Sequence, residues 1–415
     1  MLLSEQFIKT LEFRRVMLHN LPHICTHQDI KIKPIMKFTN IFSKSKSKAK
    51  AKLGSNTDKN ELNSSIKNKG QDQNSQKQQL RKALNDLSHP VFPNGIYGQI
   101  AIDLQGDGFE VELPIVLGKF APEIINLLQQ QTELATPIKF TYKPTVTSKD
   151  KIKNIKLVVA VASGKGGVGK STVTANLAAC LALQGIKVGV LDADIYGPSV
   201  PIMFGLAGQS ITSKDGKTME PFERFGVSLN SIGFVVPEDK ATVWRGPMAS
   251  KALMQVINET NWPKLDILLV DMPPGTGDIQ LTMSENIKCD GALIVTTPQN
   301  VALADAEKGI NMFNKVNTPI LGLVENMSQF VCDGCGKTHY LFGQDGGRSC
   351  ADKHKVSLLA QLPLLPAVRE GADKGTPYVL NKNLASENAA LEYHQLAFSL
   401  MMQISKQTES VITLG

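Results

Sequence analysis

The sequence predicts an α/β protein with a doubly wound, mostly parallel sheet, preceded by a small α+β domain and a disordered leader. Three observations carry this. From Ile155 onward, apolar runs recur at Leu157–Ala162, Val188–Leu191, Ile267–Val270, Ala292–Val295, Ile320–Val324 and Leu358–Leu362, with helical segments between them. Near-continuous Val/Ile/Leu runs are what strands covered on both faces require, and strands alternating with helices build βαβ units and hence a parallel sheet. Upstream, residues 78–147 carry shorter alternating strands. The first 77 residues carry almost no apolar periodicity. The expected division is therefore 1–77, 78–147 and 148–415.

The leader holds most of the basic character. Residues 1–77 contain 15 Lys/Arg against 6 Asp/Glu, whereas 78–415 contain 30 against 32. The formal charge of +7 thus belongs to the tail, and the near-neutral folded part offers no general affinity for nucleic acid. Lys44 to Lys52 alternates lysine with small residues, and an Asn/Gln/Ser-rich stretch follows. Such sequence has too little apolar surface to offset chain entropy, so a solvated linker is expected. An organelle presequence fits less well, because Glu5 and Glu12 are acidic; Met36 is an alternative start. No apolar run reaches the length of a membrane span, and no secretory signal core is present. A cytoplasmic protein without a membrane partner is the expectation.

In 78–147, Gln79–Leu87 fits a helix. Ile100–Leu104 and Phe109–Leu113 alternate around Gly106-Asp107-Gly108, Phe120–Gln130 reads as an amphipathic helix, and Ile138–Tyr142 as a last strand. With no cysteine and no catalytic pattern, this segment is expected to dock or regulate.

The chemistry is expected at the carboxyl ends of the parallel strands. The first of these runs into Ser163-Gly-Lys-Gly-Gly-Val-Gly-Lys-Ser-Thr172, followed by a helix that Gly185 stops. Gly164, Gly169, Lys170 and Ser171 meet the G-x-x-x-x-G-K-[ST] pattern of an ATP-binding phosphate loop, in the required strand–loop–helix setting. Glycines let the backbone N–H groups of Gly164, Lys165, Gly166, Gly167, Val168, Gly169, Lys170, Ser171 and Thr172 curl around phosphate, and the helix N-terminus adds its positive end. Lys170 is expected at the β/γ-phosphates, with the Ser171 hydroxyl on Mg²⁺.

Two further strands end in carboxylates. Val188–Leu191 leads to Asp192-Ala-Asp194, and Leu265–Val270 leads to Asp271-Met-Pro-Pro-Gly-Thr-Gly-Asp278. Asp271 is the expected magnesium carboxylate, held directly or through water. Asp194 stands where a carboxylate can orient the attacking water, and Asp192 reads as structural. The strand Leu321–Val324 closes on Glu325-Asn326, whose amide can donate and accept together. Immediately after come Cys332 and Cys335. Thiolates are soft ligands and the C-x-x-C spacing turns two sulfurs to one metal or cluster, but a [4Fe–4S] cluster needs four. Two readings stay open: two copies of the chain sharing one cluster across a two-fold axis, or a zinc site of Cys332, Cys335, His339 and Cys350 within one chain; a thioredoxin-like redox pair fits less well, because this C-x-x-C does not open a helix after a strand. Cys180 and Cys289 read as buried small apolar residues.

The second lysine of the loop, Lys165, resembles the deviant Walker A signature shared by MinD, ParA, the nitrogenase iron protein and the Mrp/ApbC group. Leu191-Asp-Ala-Asp-Ile-Tyr-Gly-Pro-Ser199, Trp244-Arg-Gly-Pro-Met248, Asp271–Asp278, Val295-Thr-Thr-Pro-Gln299 and Glu325-Asn-Met-Ser328 before C-x-x-C resemble the Mrp/ApbC iron–sulfur cluster carriers over about 155–380. That resemblance implies a homodimer with Lys165 acting in trans, Asp194 as switch aspartate and Asn326 reading adenine. It also implies a labile [4Fe–4S] cluster on Cys332 and Cys335, passed to apoproteins with ATP hydrolysis in support. The competing function is a MinD/ParA-type positioning or partition ATPase with a structural zinc site.

Overall fold

The computed structural model describes residues 73–145, 152–235, 246–381 and 388–413; the expectations for the leader, and for Trp244 and Arg245, fall outside them. Within 78–145 the expected elements form. A helix over 73–85 precedes the hairpin β1 (Ala101–Gln105) and β2 (Gly108–Leu113), and a helix Ala121–Thr132 carries the chain to β3 (Ile138–Tyr142), which pairs parallel to β2.

The large sheet comprises β4 (Val158–Ala162), β5 (Val188–Asp192), β6 (Phe222–Arg224), β7 (Val227–Ser231), β8 (Ile267–Asp271), β9 (Gly291–Thr296), β10 (Ile320–Glu325) and, beyond a ribbon of β11 (Phe330–Val331) and β12 (Thr338–His339), β13 (Leu358–Gln361). Its order is β13-β10-β9-β4-β8-β5-β7-β6. Every pairing is parallel except β6 with β7 at one edge. The strands lead outward from β4 in both directions, so the crevice beyond its carboxyl end is the topological switch point where such sheets bind ligands. The sequence reading missed β6 and β7. β7 is buried throughout yet reads Val-Ser-Leu-Asn-Ser, because Asn230 and Ser231 are satisfied by hydrogen bonds inside the fold. Polar residues with internal partners break the apolar-run signal without breaking the strand.

The small sheet shares a core with the large one through the C-terminal helix Asn388–Thr413. Phe398 meets Phe92 with ring centroids 4.7 Å apart and Phe120 at 5.8 Å. The Ser405 hydroxyl accepts from the Gln99 N–H at 2.8 Å. His394 sits against Phe120 and beside Gln184, and burial, with Lys119 adding to it, pushes its imidazole down to about 4, so it is neutral at pH 7.

The same helix carries Glu392, which with Glu325, Gln361 and Gln395 lines a cavity of about 280 Å³. One of its carboxyl oxygens is buried without a hydrogen bond among the described residues, and burial pushes the group up to about 7. The folded protein therefore holds this proton more tightly than the unfolded chain. The stabilisation is complete below the ordinary glutamate value and is lost as pH rises through about 7. Glu392→Gln, which keeps the shape without a charge, should flatten the denaturant midpoint between pH 5 and pH 8 and raise it at pH 8. An unchanged pH profile would remove this account.

Candidate functional site

β4 delivers Ser163 to the turn where the phosphate loop begins, and the loop hands over to the helix Lys170–Leu183. Two glycines are fixed by contact. A Cβ on Gly164 would land on the Asp305 carbonyl, and one on Gly169, at φ +81°, would strike the Asn326 amide. The loop is thus packed at both ends, against the Asp305 backbone and the Asn326 side chain, where a side chain at either glycine would not fit. The Asn326 side chain donates to the Val168 carbonyl at 2.9 Å, so its first task here is to brace the loop; that contact was not legible from the strand-end position.

Lys170 and Lys165 part company. Lys170 is buried, with its ammonium 2.8 Å from Asp271 Oδ2. Lys165 lies exposed on the outer turn of the loop, with no carboxylate partner among the described residues. The Ser171 hydroxyl donates to Asp271 Oδ2 at 2.5 Å, and the Thr174 hydroxyl donates to Oδ1 at 2.7 Å. Thr174 escaped the sequence reading because it lies inside the helix, one turn past the motif. Serine hydroxyl, carboxylate and lysine ammonium thus converge on one point beside the loop, the donor set a Mg²⁺–phosphate pair needs.

β5 stands beside β8 with Asp192 level with Asp271. Asp192 is fully buried and accepts from the backbone N–H groups of Asp194 and Val200 and from the Ser231 hydroxyl, each at 3.1 Å. Burial, then the charge of Asp271, pushes it up to about 7. Its bonds tie β5, the loop after it and β7 together, which is a structural task. Asp194 differs. It is 8% exposed, and its Oδ1 is buried without a hydrogen bond among the described residues. Burial pushes its carboxyl up, with Lys170 opposing. A buried carboxylate oxygen with no partner is costly, and one facing a nucleotide crevice is suited to hold a water.

β10 ends at Glu325 and leads within a few residues to the β11–β12 ribbon, so Cys332 and Cys335 lie on the same edge of the sheet as the phosphate loop. Cys335 is exposed and Cys332 partly so. The Cys332 thiol is held below its ordinary value, first by the backbone N–H groups of Cys335 and Gly334 and then by the Cys335 thiol. Anions are thus favoured in this turn, as metal-binding thiolates require. Cys180 is buried, as read; Cys289 is half-buried, in a core position.

The intrachain zinc group does not assemble. Cys350 is buried in the helix Gly346–His354 and groups with Glu307 and His354, not with Cys332, Cys335 and His339. The helix turns its cysteine inward against the neighbouring helix, whereas the C-x-x-C ribbon faces solvent.

Residues 154–401 match the ParA family, described as NUBPL iron-transfer P-loop NTPase. The chain belongs to this family of iron-transfer P-loop NTPases. Among relatives of this NTPase, the iron–sulfur cluster carrier protein of Haemophilus influenzae is 45% identical over 320 residues, covering 74% of this chain and 86% of its own. The iron–sulfur cluster carrier protein of Escherichia coli is 53% identical over 266 residues, covering 64% and 72%. A nucleotide-binding protein from Archaeoglobus fulgidus, solved in complex with ADP, is 38% identical with a TM-score of 0.50, covering 58% of this NTPase and 95% of its own chain. The MinD/ParA-like fold expected from the loop is the fold observed. None of the helices among the described residues is long and apolar enough to cross a membrane.

Proposed function

We propose that this NTPase is an ATP-hydrolysing carrier that holds a labile [4Fe–4S] cluster between two copies of itself and passes it to apoproteins. The observation that carries the reading is the placement of an exposed C-x-x-C ribbon on the same edge of the sheet as the phosphate loop. Two sulfurs per chain are half of what a [4Fe–4S] cluster needs, and a two-fold axis supplies the rest. Exposed apolar side chains lie on that edge too: Tyr196 after β5, Val301 after β9, and Val331, Tyr340 and Leu341 around the ribbon. A MinD/ParA-type positioning role leaves the cysteine pair without a task, and the zinc set of Cys332, Cys335, His339 and Cys350 does not assemble within one chain. A cytoplasmic setting, where thiols stay reduced, suits a chain whose described cysteines form no disulfide.

The loop N–H groups from Gly164 to Thr172 bind the ATP phosphates, and Lys170 turns from Asp271 to the β/γ-oxygens. Ser171 and Asp271 would hold Mg²⁺, whose charge neutralises the phosphate oxygens. Asp194 orients the attacking water through its unpartnered oxygen. Lys165 reaches the nucleotide bound by the partner, as an arginine finger does. Loss of the γ-phosphate then releases the Pro/Gly turn of Asp271–Asp278, altering how the two copies meet and how the cluster is held.

The test is anaerobic reconstitution of the purified chain with iron and sulfide. A dimer carrying about four iron atoms, able to activate an apo-[4Fe–4S] acceptor, is expected. Iron retained by a protein that stays monomeric, or a cluster that never leaves, overturns the reading.

A further inference from the structure

We infer a second metal site, separate from the cysteine ribbon, in which Glu307, Cys350 and His354 bind a divalent transition-metal ion of the zinc type. The three come from two packed helices. Asn300–Lys315 carries Glu307, while Cys350 and His354 stand one turn apart on Gly346–His354, the spacing that turns two side chains to one side of a helix. The carboxylate oxygen, thiol and imidazole nitrogen lie within 4.8 Å of one another. Around one Zn²⁺, with bonds of about 2.0–2.3 Å, donor atoms stand roughly 3–4 Å apart. The set therefore needs to close by no more than about 1–2 Å to hold one ion.

Two features point to a ligand and not to ordinary packing. The His354 Nε2 is buried without a hydrogen bond among the described residues; its approach to Glu307, at 3.7 Å, is too long for one. A buried ring nitrogen without a hydrogen bond is a cost that native folds rarely carry without reason. The Cys350 side chain is 4% exposed and its thiol has no hydrogen-bond partner among the described residues, yet it faces this nitrogen and this carboxylate. The set is soft enough for zinc: one thiolate, one imidazole and one carboxylate, with a fourth position left for water. Lys353 caps Glu307 from the solvent side, 2.8 Å from both carboxylate oxygens. It is largely exposed and flexible, so a cation inside the triad displaces it or shares the carboxylate with it. Bound metal would clip the helix that follows the cysteine ribbon to the helix that follows β9.

The test uses full-length protein carrying Cys332→Ser and Cys335→Ser, stripped of metal and titrated anaerobically with Co²⁺. One equivalent per chain should bind with a near-ultraviolet thiolate-to-cobalt charge-transfer band, and Zn²⁺ should displace it. Cys350→Ala should abolish the band. His354→Gln and Glu307→Gln, at partly exposed side chains that tolerate change, should each weaken binding about tenfold or more, and they carry the test if Cys350→Ala fails to fold. A titration without thiolate charge transfer, or a band that survives Cys350→Ala in folded protein, overturns the site.

Discussion

Replacing Cys332 or Cys335 with alanine should leave the protein folded and unable to hold its cluster. Reconstituted iron and acid-labile sulfide should fall at least tenfold relative to the unsubstituted chain. The reason is stoichiometric: either single substitution removes two of the four sulfurs around a shared cluster, and two cannot complete it. The fold should hardly notice. Cys335 is exposed and Cys332 partly exposed, and surface substitutions of this kind usually change stability by about 0.5 kcal/mol or less. ATP hydrolysis measured without cluster should persist, because neither thiol touches the phosphate loop. Acid should imitate the substitution. The backbone donors of Cys335 and Gly334 hold Cys332 below the ordinary thiol value, which favours the thiolate, and cluster retention should decline as acid protonates the ligating sulfurs. Unchanged cluster content in both alanine variants would remove the carrier reading while leaving the NTPase intact.

Most of the large sheet was legible because its strands obey one rule. β4, β8, β9 and β10 are apolar on both faces, the ordinary solution for a strand covered on both sides. The phosphate loop was legible because phosphate binding forces glycine where the loop leaves no room for a side chain, as at Gly164 and Gly169. What sequence could not supply was partnership between distant positions. β7 reads as polar because Asn230 bonds Thr260 and Ser231 bonds Asp192, pairings with no local signature. The adenine role of Asn326 came from the resemblance alone, and its bond to the Val168 carbonyl has no local signature either. The zinc set of Cys332, Cys335, His339 and Cys350 counted ligand types along the chain; in three dimensions the neighbours of Cys350 are a glutamate from the previous helix and a histidine four residues on. The i, i+4 pairing of Cys350 and His354 was a signal already present, but Glu307 becomes relevant only once two helices pack.

Lys165 provides the sharpest test of whether two copies of the chain act together. Lys165→Ala should lower ATP turnover by about 10³-fold or more, the scale on which a transferred cationic finger acts in phosphoryl transfer. Asp194→Asn, isosteric but unable to take a proton, should lower it by about 10²–10⁴-fold. Each variant alone is thus nearly inactive, and the mixture is decisive. If Lys165 serves the partner's nucleotide, a mixed dimer has one complete site. The Lys165→Ala chain supplies its own Lys170 and Asp194 and receives Lys165 from the Asp194→Asn chain, while the other site lacks both groups. With random pairing about half of the dimers are mixed, and each has one working site of two, so turnover should recover to about a quarter of the unsubstituted value. If Lys165 serves its own chain, every site in the mixture lacks one group and nothing recovers. The geometry favours recovery: Lys170 is buried against Asp271 in its own site, whereas Lys165 stands exposed on the outer turn of the loop, where a second copy of the chain can meet it.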